Sequence, residues 1–112
     1  MSIDASAVSA AATSCRSVVA LSPGPFGDVA TYLPHRRING VRVTADLIEI
    51  RVVAVWGPPL AQVGEEVRAA VRPAVGALPV EVFIDDIEFP SYMTKAMDPR
   101  ESEPRQKGKE GL

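Results

Sequence analysis

The sequence has one cysteine, Cys15, and one histidine, His35, among 112 residues. A single cysteine excludes an intrachain disulfide, so nothing points to an oxidising compartment. One cysteine and one histidine fall short of the three or four ligands of a zinc site, and they suggest no Cys–His nucleophile pair. No metal or cofactor is expected. His35 reads as a solvated loop residue, and Cys15 as a small hydrophobe packed in the core. Aromatics are scarce at 5%, which leaves Val, Ile, Leu and Ala to build that core. There is no excess of positive charge: the net charge is −2. Nucleic-acid affinity rests largely on phosphate contacts, so this balance argues against a nucleic-acid binder. No apolar run approaches the ~20 residues of a membrane span, and no direct membrane insertion is expected. A signal peptide would begin with a basic segment, but Asp4 stands there and the first basic residue is Arg16. Ala12-Thr13-Ser14-Cys15 lacks the flanks of a lipoprotein cleavage site. The expectation is a cytoplasmic protein.

What is present suits one α/β domain over residues 1–90. Ile3, Val8, Ala11, Ala12 and Cys15 recur at helical spacing, with Asp4 or Ser6 as the cap. Residues 16–21 read as a short strand, stopped by Ser22-Pro23-Gly24-Pro25. Residues 22–37 read as a long connection. Val41 and Val43 alternate with Arg42 and Thr44, and Ile48, Ile50, Val52, Ala54 and Trp56 alternate with Glu49, Arg51, Val53 and Val55. These runs predict an antiparallel hairpin, although Ala45-Asp46 is not a favoured two-residue turn. Trp56 is expected on the buried face. Leu60, Val63, Val67, Ala70, Val71 and Ala74 predict a second helix. Within it, Gly64 predicts close approach to the sheet, Pro73 predicts a kinked or shortened end, and Gly76 predicts the stop. Residues 80–84 read as the last strand, parallel to the one before the helix. Residues 91–112 are charged and interrupted by proline, which predicts a disordered tail. The order is helix, strand, hairpin, helix, strand. The expected fold is a four-stranded mixed sheet with both helices on one face. Val53, Val55 and Phe83 would then lie uncovered on the other face, open to self-association.

Catalytic chemistry finds no support. Asp85, Asp86 and Glu88 end a strand, where alternation turns adjacent carboxylates apart. Gly24-Pro25-Phe26-Gly27 has the spacing of the nucleic-acid clamp of K-homology domains, but that clamp joins two helices, and here it follows a strand. Arg36, Arg37 and Arg42 remain available for phosphate, which keeps a small RNA-binding module as the alternative reading.

Three stretches carry a family resemblance. The first is Val29-Ala30-Thr31-Tyr32-Leu33-Pro34 with Arg36-Arg37-Ile38 and Gly40-Val41-Arg42-Val43. The second is Trp56-Gly57-Pro58-Pro59-Leu60 with Val63 and Val67-Arg68-Ala69-Ala70-Val71. The third is Pro79-Val80-Glu81-Val82 with Ile84-Asp85-Asp86-Ile87. Together they resemble actinobacterial members of the alkaline shock protein family, over residues 5–88. The hairpin turn lacks the expected glycine, and Pro73 interrupts the second helix. The resemblance implies a non-enzymatic, cytoplasmic scaffold or interaction protein linked to cell-envelope or alkaline stress. It would act through a protein partner that is membrane-anchored in some relatives, and it would be able to form homo-oligomers. The residues expected to make contacts are Tyr32, Arg36, Arg37, Val53, Val55 and Phe83.

Overall fold

The computed structural model describes residues 3–90. The sequence-based reading of 91–112 lies outside the described residues. Along the chain run α1 (Ala5–Thr13), β1 (Val18–Leu21), β2 (Ala30–Leu33), β3 (Arg36–Asn39), β4 (Val41–Val43), β5 (Ile48–Val55), α2 (Leu60–Val75) and β6 (Val80–Glu88). The fold is α+β, with mostly antiparallel strand pairing. β1 and β4 pair antiparallel with β5, β2 pairs antiparallel with β3, and β6 runs parallel to β5.

α1 starts where Asp4 caps it. Its Oδ1 accepts hydrogen bonds from the amides of Ser6 at 2.9 Å and Ala7 at 3.3 Å, satisfying donors that a helix start leaves orphaned. β5 is the spine of the sheet. Its alternation is complete: Ile48, Ile50, Val52 and Ala54 are buried, and the residues between them are half-buried. They join Val8 and Ala12 of α1 and Val63, Val67 and Val71 of α2 in one core. As expected, this core is almost entirely aliphatic.

β4 and β1 share one edge of β5, end to end. β4 lies along Ile48 to Ile50, and β1 lies along Val52 to Ala54. The handover falls at Arg51. Its amide donates to the Gly40 carbonyl at 2.9 Å, and its carbonyl accepts from the Ser22 amide at 2.8 Å. The β4–β5 turn does without glycine because Thr44 does its work. The Thr44 hydroxyl accepts from the amides of Asp46 and Leu47 at 3.3 and 3.1 Å, a side-chain turn of the Ser/Thr kind.

Four sequence expectations are corrected. Residues 22–37 are not all connection, because β2 and the start of β3 lie within them. Leu33 faces Arg36 across a two-residue turn, Pro34-His35. Such turns usually need positive φ, yet no residue other than glycine has it here, so the favoured hairpin signals are missing. β6 does not stop at Ile84. A bulge places Asp85 between the Ile84–Val52 and Asp86–Val53 pairs. The bulge resets the alternation, and Ile87 then pairs with Ala54. Trp56 is not in the core. β5 ends at Val55, the Trp56 side is 51% exposed, and its ring lies against Phe89 at 5.2 Å between centroids. Trp56→Ala is therefore not expected to carry a core-truncation penalty. Finally, Pro73 does not shorten α2, which continues to Val75 and stops at Gly76 as expected. Proline removes one amide there, and Arg72 secures the end by donating to the Gly76 and Leu78 carbonyls at 2.7 Å each.

Gly64 also departs from expectation. A Cβ added there would meet only Nη1 of Arg68, at 3.6 Å, so the sheet does not require a glycine at this point. Gly64→Ala should raise stability by up to about 1 kcal/mol through helix propensity. Urea melts measure this, and a loss of stability would contradict the open space beside Gly64.

Ser17 is the one buried polar residue of the described core. Its hydroxyl donates to Glu66 Oε1 at 2.6 Å. That bond, followed by one from Gln62, holds the Glu66 carboxyl below its ordinary pKa. A depressed carboxyl contributes stability above its unfolded pKa, and the contribution is lost as pH falls through the folded pKa. Ser17→Ala should therefore destabilise the protein at neutral pH, with the difference from wild type shrinking as acid protonates Glu66. A constant difference across the acid range in pH-resolved melts would contradict this coupling.

Candidate protein-interaction surface

The β2–β3 hairpin packs against β4 and α1 and is anchored underneath. Ile38 is buried in the core, and the Thr31 hydroxyl donates to the Val41 carbonyl at 2.6 Å. At the tip, Arg36 Nη2 donates to the Ser6 hydroxyl in the first turn of α1, at 3.0 Å. Tyr32 and Arg37 face each other across the two strands, with the guanidinium carbon 5.2 Å from the ring centroid. Arg37 also donates to the Gly27 carbonyl, which ties the loop at 22–29 to the hairpin. Phe26 precedes that carbonyl and is 88% exposed, and Tyr32 is 69% exposed. Tyr32 thus stands in solvent against a fixed guanidinium, and Phe26 stands in solvent one residue before the carbonyl that holds it.

The three arginines of the RNA reading are not equivalent. Arg42 faces Asp28 Oδ2 at 3.8 Å and Glu49 Oε1 at 3.7 Å, so its charge is largely answered within the protein. Arg36 and Arg37 have no carboxylate partner among the described residues.

The sheet face that carries Val53, Val55 and Phe83 is not bare. Arg51 lies across it, with its guanidinium carbon 4.2 Å from the centroid of the Phe83 ring. Its Nε donates to Glu49 at 2.8 Å and its Nη1 to Asp85 at 2.7 Å. Burial alone would depress the Arg51 pKa, but the bonds to Glu49 and Asp85 outweigh it and raise the pKa. The Ser22 hydroxyl donates to the other Asp85 oxygen at 2.9 Å. Ion pairs and hydrogen bonds therefore run from Asp28 through Arg42, Glu49, Arg51 and Asp85 to Ser22. Beside this chain, a cavity of about 290 Å³ is lined by Ser22, Gly24, Pro25, Val53, Asp85 and Asp86. Val53 and Val55 are half-buried, and Phe83 is 38% exposed. Arg51 over Phe83 and Gly24 and Pro25 beside Val53 cover this face in part, while Phe83 stays exposed as expected.

The sequence-chosen residues thus fall into two groups. Tyr32, Arg36 and Arg37 gather on the hairpin. Val53, Val55 and Phe83 belong to the sheet face, with the loop at 22–29 between the groups. Sequence reasoning placed Phe26 in a rejected clamp pattern, Arg51 on the outer sheet face and Asp85 at a solvated strand end, and counted none of them among the contact residues. Phe26 had one available signal, an aromatic ring among prolines and glycines where no core position exists. Asp85 had none, because its place over the face follows from the bulge. Elsewhere, Cys15 is half-buried, and burial followed by the nearby Glu66 charge pushes its thiol pKa up, the opposite of an activated nucleophile. Among the described residues, no group of three His, Cys, Asp or Glu could hold a metal ion, and no helix is long and apolar enough to cross a membrane. No protein-family model, curated protein or solved structure matches this chain.

Proposed function

We propose that this chain is a non-enzymatic interaction protein that docks a protein partner on the hairpin and the loop beside it. The observation behind the proposal is the exposure of Tyr32 against Arg37 and of Phe26 beside the Gly27 carbonyl that Arg37 holds. An aromatic ring left in water forgoes the burial that would stabilise it, and aromatics paired with arginine are typical anchors of protein interfaces. In this reading both helices cover the Ile48-to-Ala54 face of the sheet, and the opposite face belongs to Arg51 and the loop. Arg51 stacked on Phe83 leaves less apolar surface for self-association through Val53, Val55 and Phe83, and the hairpin becomes the favoured contact surface. The wider role follows the alkaline shock resemblance: a cytoplasmic scaffold for cell-envelope or alkaline stress, working through a protein partner, membrane-anchored or not.

The alternative, RNA binding through Arg36, Arg37 and Arg42, is weakened because Arg42 already faces Asp28 and Glu49. A crosslinking pull-down tests the proposal. Phe26→Ala plus Tyr32→Ala should lose the proteins that the full chain retains. The melt should be nearly unchanged, since exposed substitutions usually shift stability by only about 0.5 kcal/mol. Retention of the same proteins by the double variant would refute the reading.

A further inference from the structure

Arg36 and Arg37 are neighbours at the tip of a short hairpin, and each is already held in place. Arg36 uses one donor on the Ser6 hydroxyl. Arg37 uses one on the Gly27 carbonyl and lies against the Tyr32 ring. A guanidinium carries five donors, so both retain several that can point outward. Side chains fixed before binding lose less rotamer entropy on binding. Every carboxylate–arginine pair of the described residues uses Arg42, Arg51 or Arg68, which leaves Arg36 and Arg37 without a carboxylate partner among them. Exposed Tyr32 lies against Arg37, and exposed Phe26 precedes the Gly27 carbonyl to which Arg37 donates.

From this arrangement we infer that the hairpin tip recognises a short acidic segment of a partner protein, with carboxylates on Arg36 and Arg37 and apolar side chains against the exposed Tyr32 and Phe26. The inference rests on the reading of the hairpin as a docking surface, and it specifies the chemistry of the partner. Carboxylate matches the forked guanidinium geometry and gives charge-assisted, often bidentate bonds. One feature favours such a segment over a nucleic-acid strand. On the hairpin the arginines without a carboxylate partner among the described residues are two adjacent ones, too short a track for a phosphate backbone.

Fluorescence anisotropy on the full chain tests the inference. The probes are a labelled ten-residue peptide alternating Glu with Phe and Leu, the same peptide with Lys for Glu, and a ten-nucleotide mixed single-stranded RNA. The acidic peptide should bind, should weaken as salt rises, and should weaken about tenfold or more on Arg36→Glu plus Arg37→Glu. Arg16→Glu, a charge reversal away from the hairpin, should leave binding unchanged. Tyr32→Ser provides a second loss variant should the double reversal disturb folding. The inference is overturned if the basic peptide binds as well as the acidic one, if RNA binds more tightly than either, or if both hairpin variants bind like wild type. Should the acidic peptide fail while Phe26→Ala plus Tyr32→Ala still abolishes protein capture, the hairpin remains a docking surface and only its acidic partner is refuted.

Discussion

Gly40→Ala should be the most damaging single-methyl change in the domain, costing about 3 kcal/mol or more. Gly40 has φ +83°, and a Cβ there would fall 2.8 Å from Leu21 Cβ, 2.9 Å from the Arg51 carbonyl oxygen and 3.0 Å from that of Ser22. A left-handed conformation alone costs an L residue about 1–2 kcal/mol, and overpacking adds a further 1–3 kcal/mol. Relief by movement is blocked, because two of the three neighbours are backbone oxygens. The Gly40 carbonyl also receives the Arg51 amide, and the Gly40 amide donates to Val29 at 2.8 Å. One methyl group would therefore strain the point where β1 and β4 meet along β5. For a domain of this size, the loss is on the order of 10–25 °C in melting midpoint. A variant that melts within a few degrees of wild type would show that the junction has slack the described geometry does not contain.

Arg51→Met should cost about 1–3 kcal/mol, although it removes charge rather than core volume. It would leave the Glu49 and Asp85 carboxylates, only 14% and 17% exposed, without their shared cation. Breaking a buried pair by removing one partner costs about 3–5 kcal/mol, and partial exposure to water reduces that figure here. Arg51→Lys should recover little, because a single ammonium cannot serve Glu49 from Nε, Asp85 from Nη1 and the Phe83 ring together. Denaturant melts of the two variants decide the point. If lysine fully restores stability, Arg51 contributes only its charge, and the stacking on Phe83 contributes nothing.

Much of the fold could be read from the sequence where periodicity governs it. The alternation from Ile48 to Ala54, the α2 stripe of Val63, Val67 and Val71 and the β4–β5 hairpin all follow from the spacing of Val and Ile, whereas Leu60, expected to open that stripe, is 46% exposed. Where tertiary geometry takes over, the pattern gave no warning. Gly40 and Gly64 look alike in the sequence, but one is locked between backbone oxygens and the other meets only the end of an arginine. The Ile84–Ile87 spacing looks like the end of a strand until the bulge at Asp85 accounts for it. Tyr32 and Arg37 were chosen separately as contact residues, but their cross-strand pairing depended on a turn at Pro34-His35 that carries no favoured hairpin signal. Trp56 continued a true alternation one residue beyond the strand that enforced it. The candidate surface was accordingly half legible: the hairpin residues were found, and Phe26 and the Arg51 ion pairs were not.

A photo-crosslinking residue at position 26, compared with one at position 65, tests the central claim most directly. Both sites are exposed, since the Glu65 side chain on α2 is 76% accessible, so random encounter should label them alike. In cells that express the full chain, the account predicts discrete protein adducts from position 26 and only background from position 65. Equal labelling from the two positions, or adducts from position 26 that consist of RNA, would contradict it.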